Sequence, residues 1–381
     1  MARIPQIQIV YLHQSINPTS MVSVPRLLGV LAEQLQGAGV EEVKVRSFHR
    51  PINLDIDFTP LASVVFRKVF YNRFASSWLR RLGDYLAVKK IVHSGIKKDS
   101  VFIACTIDSV KALLNHVPPS RVIYWLHSYP GTEGVQQFGD LLRQPINLVT
   151  PSEALYRQLW KDFGRFGMSC FWYHIPQPNL QFYVDEVSFP IDLALLREMQ
   201  KGRILLHAGG KSESKGLHLI RRALVGVEEQ EKLWLLSIGS EFERREWGSF
   251  SEVVLPRISP SQLKQVIKIA DLCLFPSLIF DVAPLLVTEF KEMRKPIIAS
   301  DVGGVRECLG ASSAKYIRNP NSVLEWRHTI INSLGIGQER EDCSSASDAS
   351  EGTVPVEEWV EIWLELFAEI SDIHHQNENG R

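Results

Sequence analysis

Short apolar runs along this chain alternate with longer stretches whose apolar residues recur every three or four positions. The first run, residues 7–12, reads as a strand covered on both faces, since it lacks the polar alternation of a half-exposed one. Pro25 then stands near the start of a helix reaching about residue 36. Leu27, Leu28, Leu31 and Leu35 share one face of it, and Gly37 and Gly39 end it. Residues 43–48 read as the next strand, and strand–helix–strand is the unit of a parallel sheet. Further strands are expected at 101–104, 122–126, 147–150 and 171–175, with helices at 109–115 and 152–163, the second capped by Ser152.

A second series follows. Strands are expected at 204–207, 233–238, 253–255, 272–275 and 296–299, with helices at 217–225, 261–269 and 284–293. The pattern predicts an α/β protein of two Rossmann-like doubly wound domains. In open α/β sheets ligands sit beyond the carboxyl ends of the strands, so two such domains are expected to face a central cleft. The expected boundaries are an N-terminal domain at 1–178, a linker with an approach helix at 179–200 and a second domain at 201–338. An acidic, serine-rich stretch at 339–354 reads as a mobile loop. Pro355 opens a helix through about 371 whose Trp359, Ile362, Trp363 and Phe367 must dock on the body, and 372–381 reads as a disordered tail.

Composition changes this picture little. With 381 residues the chain suits two cores better than one. A net charge of -1 argues against a molecule built to bind polyanions, and no motif points to nucleic acid. Local charge is uneven. Residues 61–98 hold nine basic and one acidic side chain, a net of +8, and 339–381 hold twelve acidic and two basic, a net of -10. The five cysteines are scattered without a Cys-x-x-Cys pair and are expected as free thiols in a reducing compartment. The start of the chain lacks the apolar core and cleavage site of a secretory signal, and no window has 18 consecutive apolar residues, so a cytoplasmic protein is expected.

Candidate chemistry concentrates in residues 270–307. A buried strand leads into a loop, 276–283, and a helix begins near Pro284, which can take a first-turn position because its missing N–H is not needed there. The N–H groups around Val282, Ala283, Pro284 and Leu285, proline excepted, would offer partial positive charge to a phosphate or sugar oxygen. Asp281 at the lip of the loop and Glu289 on the helix could accept hydrogen bonds from sugar hydroxyls. Spacing alone equally allows an ordinary crossover in which Asp281 caps the turn and Glu289 is solvated.

The segment resembles the family 4 retaining glycosyltransferases (group 1 glycosyl transferases), which have the GT-B fold. Asp281 and Glu289 match the family's acidic pair with seven residues between. Arg294, Lys295 and Pro296 match its next strand entry, and Asp301, Gly303, Gly304 and Glu307 match its Asp-Gly-Gly turn. The resemblance implies that Glu289 holds the donor ribose and Asp281 reaches the donor sugar, with aspartate standing where glutamate is usual. Met293 and Arg294 replace a usual small-glycine pair. A second match is HAGGKSESKG, where Lys215 and Gly216 fit the end of the family's phosphate-binding loop. Gly209 opens that loop, Gly210 occupies the family's arginine position, and the adjacent Lys211 could supply charge. Taken alone, Lys215 reads equally as a surface lysine. As a family match, it implies neutralisation of a leaving diphosphate by fixed charge, without a metal or other cofactor.

On the acceptor side, His127 ends the strand at 122–126, where the family commonly has a histidine near the donor sugar; a structural histidine is the alternative. Asn17, Thr19 and Ser20, in the loop after the first strand, are expected on the same side. Residues 66–90 interleave Phe70, Phe74, Trp78, Leu82 and Leu86 with Arg67, Lys68, Arg73, Arg80 and Arg81. This is either a core-facing stripe with a solvated basic face or a surface for anionic lipid or a charged acceptor, giving peripheral contact with the inner face of a membrane. The expectation is a glycosyltransferase carrying a sugar from a UDP- or GDP-sugar to a carbohydrate or lipid-linked acceptor, with His127, Lys215 and Asp281 in catalytic positions. The alternatives are a weakly active or inactive nucleotide-sugar-binding partner subunit and a sugar-nucleotide epimerase of similar architecture.

Overall fold

Period-two alternation within the strands puts successive side chains on opposite sheet faces, and helices cover both faces. The computed structural model describes residues 6–11, 23–40, 42–47, 57–58, 82–83, 85–90, 97, 100–130, 135–180, 188–227, 232–239, 241–310, 314–335 and 354–379. The chain divides into two compact units, one of residues 1–176 and 355–381 and the other of residues 177–354.

In the first unit the strands are β1 (Ile7–Tyr11), β2 (Val43–Ser47), β3 (Asp57–Phe58), β4 (Val101–Ala104), β5 (Val122–Trp125), β6 (Asn147–Thr150) and β7 (Phe171–His174). Its helices are α1 (Ser23–Gly37), α2 (Ile107–Leu114), α3 (Val135–Leu142) and α4 (Glu153–Phe163). The seven strands are all parallel, in the order β3-β2-β1-β4-β5-β6-β7. Leu27, Leu28, Leu31 and Leu35, the stripe expected on α1, are all fully buried. Ser152 caps α4 by accepting from the Leu155 N–H at 3.3 Å, and Thr106 caps α2 in the same way through Ser109.

The second unit holds α5 (Leu193–Met199), β8 (Arg203–His207), α6 (Leu217–Leu224), β9 (Leu233–Ile238), β10 (Glu243–Glu246), β11 (Phe250–Leu255), α7 (Pro260–Ile269), β12 (Leu272–Phe275), α8 (Leu285–Glu292), β13 (Ile297–Ser300), α9 (Val305–Leu309), β14 (Lys315–Ile317) and α10 (Val323–Leu334). Its sheet order is β10-β11-β9-β8-β12-β13-β14, parallel except for the β10–β11 pair. Leu206, Trp234, Leu236, Cys273 and Phe275 pack on one face with Val287 and Phe290 of α8. Their strand neighbours Leu205, Leu233, Leu235, Leu272 and Leu274 pack on the other with Ile220 of α6 and Trp326 of α10. Strand order reverses between β8 and β12, and that is where open α/β sheets bind ligands.

Several expectations need correction. The span read as a linker with an approach helix, 179–200, does contain a helix, α5, but it buries Ile191 and Met199 in the second unit's core and so belongs to that unit. The final helix, α11, runs Val356–Asn379 and so takes in most of the span read as a disordered tail; no glycine or proline interrupts it before Gly380. It docks on the first unit, where Trp359 and Trp363 lie 5.9 and 5.0 Å from the Trp125 ring. Of the apolar stripe at 66–90 only Leu82 and Leu86 fall among the described residues. Leu86 is 37% exposed, and Ala87 and Val88 are buried in its place. The loop expected at 339–354 lies outside the described residues except Val354, which pairs with Pro178. The four cysteines described, Cys105, Cys170, Cys273 and Cys308, are all free.

Candidate active site

Two loops meet at the point of strand reversal. The loop after β8 runs through Gly209, Gly210 and Lys211, tightens into a 3-10 turn at Glu213–Lys215, and turns at Gly216 into α6. The loop after β12 runs from Pro276 to Pro284 and enters α8. Backbone contacts interlock them. The Leu278 N–H donates to the Ser214 carbonyl at 2.8 Å. Gly216 has φ +70, and a Cβ there would lie 1.9 Å from the Pro276 carbonyl oxygen, so only glycine fits.

The charged centre is a salt bridge between the loops. Lys215 Nζ donates to both carboxylate oxygens of Asp281, at 2.8 and 2.9 Å. The two side chains are 25% and 17% exposed, so a ligand can reach them. Each partner's main chain is held. The Lys215 carbonyl is in hydrogen-bond contact with His207 Nε2 at 3.0 Å, and the Gly304 N–H donates to the Asp281 carbonyl at 2.9 Å. Gly303 has φ +56, and a Cβ there would stand 2.0 Å from the Asp281 carbonyl oxygen. The Asp-Gly-Gly turn therefore fixes Asp281 from below, while the Asp301 carboxylate itself accepts two hydrogen bonds from Arg306 at 2.7 Å each.

The other residues expected on the donor side lie on the same two loops and on α8. Pro284 has extended ψ and serves as N-cap, so α8 begins one residue later than expected, at Leu285; no side chain caps it. Val282 and Leu285 are buried, and Ala283 packs against the core. Glu289 is on α8 and only 5% exposed, which rules out the solvated carboxylate that spacing allowed. Gly210 has φ +84, a left-handed conformation that an arginine there would adopt only under strain. Lys211 lies toward the end of β9, where a Cβ on Gly239 would approach its Cε within 2.9 Å, and its charge acts on Glu243. Among the described residues no group of three or more His, Cys, Asp or Glu side chains could hold a metal ion.

His207 was missed by the sequence reading. It ends β8 fully buried, and its contact with the Lys215 carbonyl requires the Nε2–H tautomer, leaving Nδ1 without a partner. Burial lowers its pKa to about 4. A histidine directly before Ala-Gly-Gly was the available signal. Ser277, in the loop after β12, also has a buried hydroxyl with no partner.

In the first unit His127 lies two residues past β5, its ring 4.3 Å from that of Trp125. Its Nε2 is covered and without a partner, and burial pulls its pKa down to about 3, so the ring is neutral near pH 7. Asn17, Thr19 and Ser20 lie outside the described residues.

Residues 196–349 match the family Glycosyl transferases group 1. No curated protein matches the chain by sequence. Among solved structures, sucrose-phosphate synthase from Thermosynechococcus elongatus is similar with a TM-score of 0.67 at 14% identity, covering 99% of this chain and 100% of that one. HepE from Anabaena in complex with UDP and glucose is similar with a TM-score of 0.61 at 15% identity, covering 99% and 100%. The trehalose-6-phosphate synthase OtsA gives 0.64 at 13% identity, covering 98% of each chain. At these identities the likeness establishes the fold alone. Residues 196–349 are thus similar to glycosyl transferases group 1, in a chain whose two Rossmann-like α/β domains are consistent with the GT-B fold.

Proposed function

We propose that this protein is a retaining glycosyltransferase that moves a sugar from a UDP- or GDP-sugar to a carbohydrate or lipid-linked acceptor. The observation that carries the reading is Lys215 facing Asp281 across two interlocked loops at the strand reversal of a group 1 domain. Lys215 neutralises the diphosphate as it leaves, together with the uncapped N–H groups at the start of α8. Glu289 holds the ribose, and Asp281 reaches hydroxyls of the transferred sugar. The acceptor hydroxyl arrives on the face the diphosphate leaves, so configuration is kept without a protein nucleophile. His127, neutral near pH 7, is assigned to the acceptor side.

The similarity to an Anabaena protein solved with UDP and with UDP-glucose makes UDP-glucose the first donor to try. Slow hydrolysis of donor without acceptor, followed by NMR, should release the sugar with the anomeric configuration of the donor. Release of the opposite anomer contradicts retention. Two observations favour a second reading, a nucleotide-sugar-binding partner subunit: Lys215 is already compensated by Asp281, and Gly210 stands where the family has arginine. Tight nucleotide binding with no hydrolysis of any donor would select it.

A further inference from the structure

We propose that Asp281 is a built-in competitor for the diphosphate: its carboxylate occupies Lys215 in the empty site, and donor binding requires Lys215 to exchange that carboxylate for phosphate. This rests on the donor-site reading above. Two of the three N–H groups of the Lys215 ammonium are committed to the Asp281 oxygens, at 2.8 and 2.9 Å. A phosphate cannot take full charge-assisted bonds from that ammonium while both remain in place.

The exchange is confined to side chains, because both backbones are pinned. Asp281 is held through its carbonyl by Gly304 and by the close approach of Gly303. Lys215 is held by His207 at its carbonyl, by its own N–H on the Ser212 carbonyl at 2.9 Å, and by Gly216 against Pro276. The lysine has four rotatable side-chain bonds and the aspartate two, so the ammonium is the group that swings. Once it does, the carboxylate is released with its acceptor positions open, at the moment a donor sugar with hydroxyl donors arrives. A site with no donor therefore keeps its cation neutralised, and free inorganic anions compete with a tethered carboxylate for it. The same device gives a selectivity rule. Ligands with a diphosphate repay the broken salt bridge, and nucleosides with the same base and ribose leave it closed.

The test is calorimetric titration of UDP and GDP, with uridine and guanosine as controls, into wild type, Asp281→Asn, Lys215→Ala and the double variant. Asp281→Asn should bind the nucleoside diphosphate about two- to five-fold tighter, the range expected for releasing a partly exposed ion pair. Nucleoside affinity should not change. The gain should vanish in the Lys215→Ala background, since the carboxylate then has no ammonium to sequester. An equal gain in both backgrounds would overturn the proposal, because it would mean that Asp281 merely repels phosphate. Weaker or unchanged binding by Asp281→Asn would also overturn it. If neither wild type nor any variant binds a nucleoside diphosphate, the donor-site reading itself fails; if wild type binds and Asp281→Asn shows no gain, only the exchange fails. Asp281→Ser serves the same purpose should the asparagine variant not fold.

Discussion

Arg294 is the one non-glycine residue with positive φ among the described residues, at +51. It sits at the C′ position of α8 in a Schellman turn. Its N–H donates to the Lys291 carbonyl at 2.8 Å, and the Lys295 N–H donates to the Phe290 carbonyl at 3.2 Å. A glycine is expected in that conformation, and the sequence departs from the family there. Arg294→Gly should raise stability by about 0.5–1 kcal/mol in urea denaturation, because the side chain is exposed and the left-handed strain is relieved. Gly303 is the opposite case. Gly303→Ala must displace the Asp281 carbonyl and should cost about 2 kcal/mol or more, read in the same experiment.

Buried histidines set an acid limit on stability. His207 and His127 have folded pKa values of about 4 and about 3, against an ordinary value of 6.5. As pH falls through 6.5 the unfolded chain takes up protons that the folded chain refuses. Stability is therefore complete above about pH 6.5 and is lost progressively down to about pH 4 for His207 and about pH 3 for His127. His207→Gln should flatten that slope in unfolding measured between pH 7 and pH 4, while keeping an N–H for the Lys215 carbonyl.

At the scale of elements, the strands that carry the site were legible because both their faces are buried and their residues run apolar throughout. Leu272–Phe275 and Ile297–Ser300 are examples. β10 was not legible. Its four residues, ERRE, hold no apolar signal, and it forms because its backbone pairs antiparallel with β11 at the sheet edge, where charge also discourages further pairing. α3 was missed for another reason: Gly139 stands inside its eight residues, and an interior glycine argues against a helix. The candidate site was legible as residue types, since Lys215, Asp281 and Glu289 stand out by resemblance. What no sequence pattern could show is that Lys215 and Asp281 pair with each other, 66 positions apart, or that His207 underpins the loop between strand and helix.

α11 rejoins the first unit after the whole of the second has intervened in the chain, so its buried face is what keeps it there. Trp359, Trp363 and Phe367 are fully buried. Trp363→Ala should cost about 3–5 kcal/mol, and Trp363→Phe distinctly less, because the Trp363 indole N–H has no hydrogen-bond partner to lose. Chemical denaturation of the two variants in parallel checks the order.

For the molecule as a whole, two Rossmann-like sheets, the second within a segment similar to glycosyl transferases group 1, set the frame for the proposed function. The net charge of -1 places no bulk field over the molecule, so donor capture must come from local charge. In the proposed reading Lys215 and the first turn of α8 supply it, with Glu289 on the ribose. The most direct test of this account is the thermal shift given by UDP and GDP to wild type, Lys215→Ala and Glu289→Ala, each against its own ligand-free baseline. The account predicts that at least one nucleotide raises the wild-type Tm and that both substitutions abolish most of that rise. No shift with any nucleotide, or a shift that survives both substitutions, would contradict it.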